Sequence, residues 1–242
     1  MKLHEYQAKN ILKNFDVTVP NSIVINNIDD LTKIEKNLTY PTVVKAQVHS
    51  GARGKAGGIK IAKDFKEVNE SVKSLLGEKL VTHQTGEKGL PINAILLEEA
   101  IDIQQELYLA ITIDGSVSNP IFISSPQGGM DIEAVAEKDP GAILTTMINA
   151  DVGLMTFQSQ EINEQLNLEK EMMPQLHKIL TGLFNAFIHS DSSLIEINPL
   201  VVTSDGQLIA ADTKFSIDDN AAFRQQEIFD VRDKSQEDEL EL

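Results

Sequence analysis

Apolar residues recur along the chain at two spacings, and the spacing separates helices from strands. Leu3, Tyr6, Ile11, Leu12 and Phe15 share one face of a helix that opens the chain. Leu176, Ile179, Leu180, Leu183, Phe184, Phe187 and Ile188 repeat that period over about 168–189, with Pro174 in the first turn. A shorter helix is predicted over about 66–76 and a polar, charged one over about 29–36. Period-two alternation marks strands: Val44, Ala46 and Val48 lie on one side, Lys45, Gln47 and His49 on the other. Residues 106–114 alternate strictly, with Leu107, Leu109, Ile111 and Ile113 inward, and turn at Asp114-Gly115. Further strands are expected at 22–25, 59–61, 93–100 and 120–124. Two hairpins follow: SGARGKAGG at 50–58, with four glycines in nine residues, and Ser204-Asp205-Gly206 between 193–203 and 208–217.

At 242 residues the chain has room for one large domain or two small ones. No run of about 18 apolar residues exists, so no membrane span is expected. The 37 acidic residues against 21 basic ones give a net charge of −16, which argues against nucleic-acid binding. Without cysteine, disulfides, thiolate metal sites and cysteine nucleophiles are excluded. The five histidines show no i,i+4 pair and no HExxH, so a metal is expected on oxygen ligands. The first residues carry neither an apolar signal core nor an Arg/Ser-rich presequence, which predicts a cytoplasmic protein. No internal repeat is found, and the acidic stretch 231–242 is expected to be a linker stub.

Three groups of residues suggest chemistry. Lys45, flanked by Val43, Val44 and Ala46, is costly to bury without an anion, and the adjoining glycine-rich loop frees backbone amides for phosphate; a solvated lysine is the competing reading. The loop lacks the GxxxxGK[ST] spacing and no helix follows it. Glu98 and Glu106, on strands either side of a short loop, suit the amino and hydroxyl groups of a nucleoside as well as they suit solvated strand ends. Glu196, Asn198 and Asp212 are polar residues set in an apolar hairpin. A three-residue loop at 204–206 puts Asn198 opposite Asp212 and Glu196 opposite Lys214 on one face, where hard oxygens suit magnesium. A two-residue loop moves Asn198 beside Thr213 and removes that site. A cross-strand hydrogen-bonded pair remains equally compatible.

MKLHEYQAK at the start, VVKAQVHSGARGKAGG at 43–58, LLEEAIDIQQELYLAI at 96–111, LIEINPLVV at 194–202 and DTKFSIDDNAAFRQ at 212–225 together resemble the succinate–CoA ligase β subunit. The resemblance implies an α+β protein of the ATP-grasp fold, with lobes at 21–102 and at 1–20 plus 103–230 holding MgATP or MgGTP between them. It implies phosphate contacts from Lys45 and the loop Ala52-Arg53-Gly54, nucleoside contacts from Glu98, Ile101 and Glu106, and magnesium ligands at Asn198 and Asp212. Lys45, Arg53 and Glu196 form the expected catalytic set. In the family the γ-phosphoryl group passes to a histidine of an α-subunit partner during succinate/succinyl-CoA interconversion in the tricarboxylic acid cycle, and none of the five histidines here matches that acceptor. A malate–CoA ligase β subunit and a non-catalytic nucleotide-binding or subunit-interaction module are the alternatives. Three positions depart from the family: Ala52 replaces a usual glycine, Ile101 a frequent threonine, and Gln127 a common glutamate. The family also continues into a CoA-ligase-like domain, so the chain is expected to be its nucleotide-binding half.

Overall fold

The computed structural model describes residues 1–237. The chain divides into two units, one from Met1–Val19 and Asp102–Val231, the other from Pro20–Ile101 with the segment that begins at Arg232. Every strand pair among the described residues is antiparallel.

The smaller unit carries a four-stranded sheet in the order Ser22–Ile25, Ile95–Glu99, Thr42–Ala46, Ile59–Ala62. Val44, Ala46, Ile95 and Leu97 turn to a core closed by Val68, Val72 and Leu75 of the helix Phe65–Leu75. Asp64 caps that helix by accepting the Glu67 N–H at 2.8 Å, and Glu67 accepts the Lys63 N–H at 2.7 Å. The single helix expected over 29–36 is broken into a 3-10 turn at Ile28–Asp30, one α turn at Leu31–Ile34 and a second 3-10 turn at Glu35–Asn37. Only Leu31 of this stretch is buried, so packing does not enforce a longer helix. The first hairpin forms as expected, Thr42 facing Ala62 and Lys45 facing Ile59. Its loop is folded upon itself, the Gly58 N–H donating to the Arg53 carbonyl at 2.8 Å and the Gly57 N–H to Gly54 at 3.1 Å. Ala52 sits at φ +56°, in the left-handed region that glycine occupies without cost.

The larger unit carries a six-stranded sheet. Leu208–Ala210, Ser192–Thr203, Ile103–Asp114, Asn119–Ser125 and Leu144–Met147 run in that order, and Thr213–Ile217 also pairs with Ser192–Thr203. Helices Glu5–Asn14, Thr156–Gln165 and Met173–His189 supply the core that meets Leu107, Leu109, Ile111, Ile195 and Ile197. Ile113, expected inward, is 47% exposed; it pairs with Pro120 at the turn end of its hairpin, beyond the reach of the core. Gly182 lies where the chain leaving the first helix crosses Met173–His189: a Cβ there would stand 2.3 Å from the Phe15 carbonyl oxygen and 2.8 Å from Val17 Cγ2. No helix among the described residues is long and apolar enough to cross a membrane.

The residues ahead of the expected linker stub at 231–242 are tied to the larger unit. Gln225 donates to the His189 carbonyl at 2.7 Å, and Ile228 and Phe229 pack on the larger core. Residues 232–237 belong to the smaller unit, where buried Gln236 accepts the His49 N–H at 3.2 Å and donates to the Pro91 carbonyl at 2.8 Å. Backbone hydrogen-bonding demand, which apolar periodicity does not record, explains the difference. Residues 238–242 of the expected stub lie outside the described residues.

Gly182→Ala forces a methyl group into backbone and should cost about 1–3 kcal/mol, read as a melting temperature lower by roughly 2–10 °C. Ala52→Gly should act in the opposite direction, because relief of the left-handed strain, about 1–2 kcal/mol, exceeds glycine's entropic cost of about 0.5–1 kcal/mol. A melting temperature about 1–3 °C higher is expected by calorimetry.

Candidate functional site

In the smaller unit, alternation along Thr42–Ala46 gives Val44 and Ala46 to the core and turns Lys45 to the other face. Lys45 is only 8% exposed there, and its Nζ lies 2.5 Å from Oε2 of Glu98, itself 2% exposed. The two come from neighbouring strands in which Val43 faces Glu98. The lysine therefore has the anion its burial demands, and Glu98, expected at a nucleoside, is engaged with Lys45. Arg53 is also buried; it reaches back from the loop to donate from Nη1 to the Ala46 carbonyl at 3.2 Å. Gly54 is surrounded by space, the nearest atom to a Cβ being Ile59 Cδ1 at 3.9 Å. Ile101, half-buried, is the last residue before the chain passes into the other unit.

In the larger unit, the hairpin register is that of the three-residue loop. Leu200 faces Ala210, Val202 faces Leu208, Glu196 faces Lys214, and the Asn198 N–H donates to the Asp212 carbonyl at 3.1 Å. Gly206, at φ +77°, supplies the left-handed residue that such a loop needs. Asn198 and Asp212 thus share one face. The Asp212 Oδ1 accepts the N–H of Thr213 at 2.9 Å. The Glu196 carboxyl, 3.8 Å from the Lys214 ammonium, is pushed up by burial; Lys214 opposes that shift, and Glu133, Asp212 and Asp131 reinforce it. Burial, with Glu196 and Glu133, likewise pushes the Tyr108 hydroxyl up.

Asn198 has a second engagement: its Oδ1 accepts the Gly129 N–H at 2.7 Å and its Nδ2 donates to the Met130 carbonyl at 2.8 Å. The Gln127-Gly128-Gly129 loop is thereby held against Ile103–Asp114, with the Gly128 N–H donating to the Glu106 carbonyl at 3.0 Å. A Cβ at Gly128 would lie 2.3 Å from Leu107 backbone, which excludes a side chain, and Gly129 takes φ +71°, which favours glycine. This clamp, and the carboxylates Asp131 and Glu133, escape the sequence, which shows a glycine pair without its contact; a GG dipeptide shortly after a strand is the signal available.

The predicted residues fall into two sets. Lys45, Ala52, Arg53, Gly54, Glu98 and Ile101 belong to the smaller unit, and Glu106, Glu196, Asn198 and Asp212 to the larger. The strands of Glu98 and Glu106, adjacent in sequence, lie in different sheets. Of the histidines, His177 Nδ1 bonds Ser159 Oγ at 2.8 Å, and His189 packs edge-on to Phe15. Among the described residues no group of three or more His, Cys, Asp or Glu side chains is arranged to hold a metal ion alone. An amide oxygen opposite a carboxylate, amid further carboxylates, is nevertheless a donor set that fits magnesium, which keeps waters and phosphate oxygens in its shell. The Asn198 Oδ1 retains a second lone pair beyond the one given to Gly129.

Residues 2–202 match the family model of the ATP-grasp domain. The succinate–CoA ligase [ADP-forming] subunit beta of Bacillus pumilus is 44% identical over 243 aligned positions, covering 100% of this chain and 63% of that protein. The chain thus spans less than two thirds of that relative's length. Among solved structures, ATP citrate lyase from Methanothrix soehngenii superposes with a TM-score of 0.71 at 17% identity, over 96% of this chain and 54% of that one. The dinucleotide-forming acetyl-coenzyme A synthetase 1 of Ca. Korarchaeum cryptofilum, solved with coenzyme A and Mg-AMPPCP, gives 0.63 at 14% identity, over 90% and 93%. These likenesses are of fold, and with the family match running from Lys2 to Val202 the chain belongs to the ATP-grasp domain family.

Proposed function

We propose that the chain is the nucleotide-binding part of a succinate–CoA ligase β subunit. It binds MgATP or MgGTP and presents the γ-phosphoryl group to a histidine of an α-subunit partner during succinate/succinyl-CoA interconversion. The observation that carries this reading is the 44% identity to such a subunit along the entire chain.

The residues of each unit have chemistry to match. Lys45 and Arg53 are cations held in place before any ligand arrives, one by Glu98 and the other by the Ala46 carbonyl. Preorganised positive charge of this kind stabilises a transferring phosphoryl group without reorganisation at the moment of reaction. The open surroundings of Gly54 leave room for a phosphate to approach backbone. The exposed Glu106 carboxylate accepts from nucleoside hydroxyls, and Ile101 offers an apolar contact to the purine. Asn198 Oδ1 and the Asp212 carboxylate would hold magnesium, with Glu196 adding negative charge on the same face. The ion, when bound, neutralises charge on the phosphate oxygens. The acetyl-coenzyme A synthetase structure, solved with a phosphohistidine segment pointing towards its nucleotide-binding site, fits the same reading.

Thermal melts with MgATP and MgGTP test the nucleotide assignment. At about 100 times the dissociation constant a ligand adds roughly 2.7 kcal/mol, which should raise the melting temperature by about 5–10 °C. An unchanged melt in millimolar nucleotide and magnesium would overturn it. Calorimetric titration separates the two residue sets. Asp212→Asn should weaken nucleotide binding about 10–100-fold with magnesium and leave it unaltered in EDTA, one charge-assisted contact being worth roughly 1.5–3 kcal/mol. Lys45→Met combined with Glu98→Gln, which avoids leaving the Glu98 carboxylate buried alone, should weaken binding in both conditions. Equal losses for Asp212→Asn with and without magnesium would contradict the metal assignment.

A further inference from the structure

We propose that Lys9 is a positioning residue for Asp212, acting through the Ala211 carbonyl; the inference rests on the reading of Asp212 as a magnesium ligand. Lys9 lies on the helix Glu5–Asn14 and is 1% exposed, next to Ala8 and within one turn of Leu12, both wholly buried. Its ammonium donates to Glu5 Oε1 at 2.7 Å and to the Ala211 carbonyl at 2.7 Å. As a stability device this is a poor choice, because a buried ion pair gains little over an apolar residue of similar length. The target of the second bond gives the lysine a different use.

Ala211 and Asp212 are the two residues between Leu208–Ala210 and Thr213–Ile217, where the returning strand breaks. The ladder does not fix their peptide planes as it fixes those on either side, so individual contacts do. The Ala211 N–H donates to the Pro199 carbonyl at 3.1 Å, and the Asp212 carbonyl accepts the Asn198 N–H at 3.1 Å. Between those two bonds lies the peptide plane joining Ala211 to Asp212, and its carbonyl is the one Lys9 holds. Rotation of that plane changes φ of Asp212 and re-aims its Cα–Cβ bond. The Thr213 N–H, 2.9 Å from Oδ1, orients the carboxylate only if that bond already points correctly. Lys9 thus fixes the root of the side chain and Thr213 its tip, as outer-shell partners fix metal ligands.

The test uses Lys9→Met with Glu5→Gln, so that no carboxylate is left buried alone. Glu5→Gln alone, which keeps the Lys9 bond to Ala211, is the control. Nucleotide affinity is measured calorimetrically with magnesium and in EDTA, and Mn2+ binding to the nucleotide complex by paramagnetic resonance, on chains whose melts show them folded. The double variant should keep wild-type affinity in EDTA while the gain conferred by magnesium falls about tenfold, with Mn2+ affinity falling alike; Glu5→Gln should keep both. A retained magnesium gain in the folded double variant overturns the proposal, and so does an equal loss in both conditions, which would mark a general structural lesion. If the double variant does not fold, Lys9→Gln with Glu5→Gln replaces it, since its amide pair satisfies the helix positions but is one atom short of Ala211, and the same outcomes decide. Absence of any magnesium gain in the unaltered chain would overturn the metal reading itself and this inference with it, a result distinguishable because it requires no variant.

Discussion

A slip of one residue between Ser192–Thr203 and the strands that return beside it would send Asn198 and Asp212 to opposite faces. The larger unit holds that register from two sides. At the loop, the Thr203 N–H donates to the Gln207 carbonyl at 2.9 Å and the Gly206 N–H to Thr203 at 3.0 Å. Gln175, from the neighbouring helix, donates to the Gly206 carbonyl at 2.9 Å and accepts the Leu208 N–H at 3.1 Å. On the apolar face, Ile195, Ile197, Phe215 and Ile217 are all buried and would be turned out by a slip. The energy of that core therefore sets the position of the polar pair.

Each unit also contains a buried lysine matched to a glutamate, Lys45 with Glu98 and Lys9 with Glu5. Removing either partner alone would leave a charge in a medium that solvates it poorly, whereas removing both is far less costly. Their value is geometric: a long, flexible side chain is reduced to one position. For Lys45 that position lies on the polar face of a central strand, and for Lys9 it lies under the break that carries Asp212.

Much of this was legible in the chain. The turn signal Ser204-Asp205-Gly206 and the alternation around it restrict the hairpin to one of two registers, and the pairing of Leu200 with Ala210 and Val202 with Leu208 decides between them. Ala52, which stands where the family usually has glycine, takes the positive φ that a glycine there would suit. What remained hidden depends on distance in sequence. The strand Leu144–Met147 and the helices Ile132–Lys138 and Thr156–Gln165 are short or weakly periodic, and tertiary contacts stabilise them. Gly128 reads as a loop residue, yet its necessity comes from the Leu107 backbone on another strand. Glu98 reads equally as a solvated strand end because nothing local shows that the Lys45 side chain reaches it from the neighbouring strand.

The interleaving of the two units along the chain sets an order for their assembly. The smaller sheet is complete once residues 22–99 exist, and its core draws on no later strand. The opening helix must wait much longer, because the Leu3 N–H donates to the Phe215 carbonyl at 3.0 Å and Lys2 bridges Ser216. Throughout most of synthesis the apolar face of that helix has no native partner, while the sheet of the smaller unit can already form behind it. Closing a loop of that span is slow, and until it closes the apolar face of that helix stays in water.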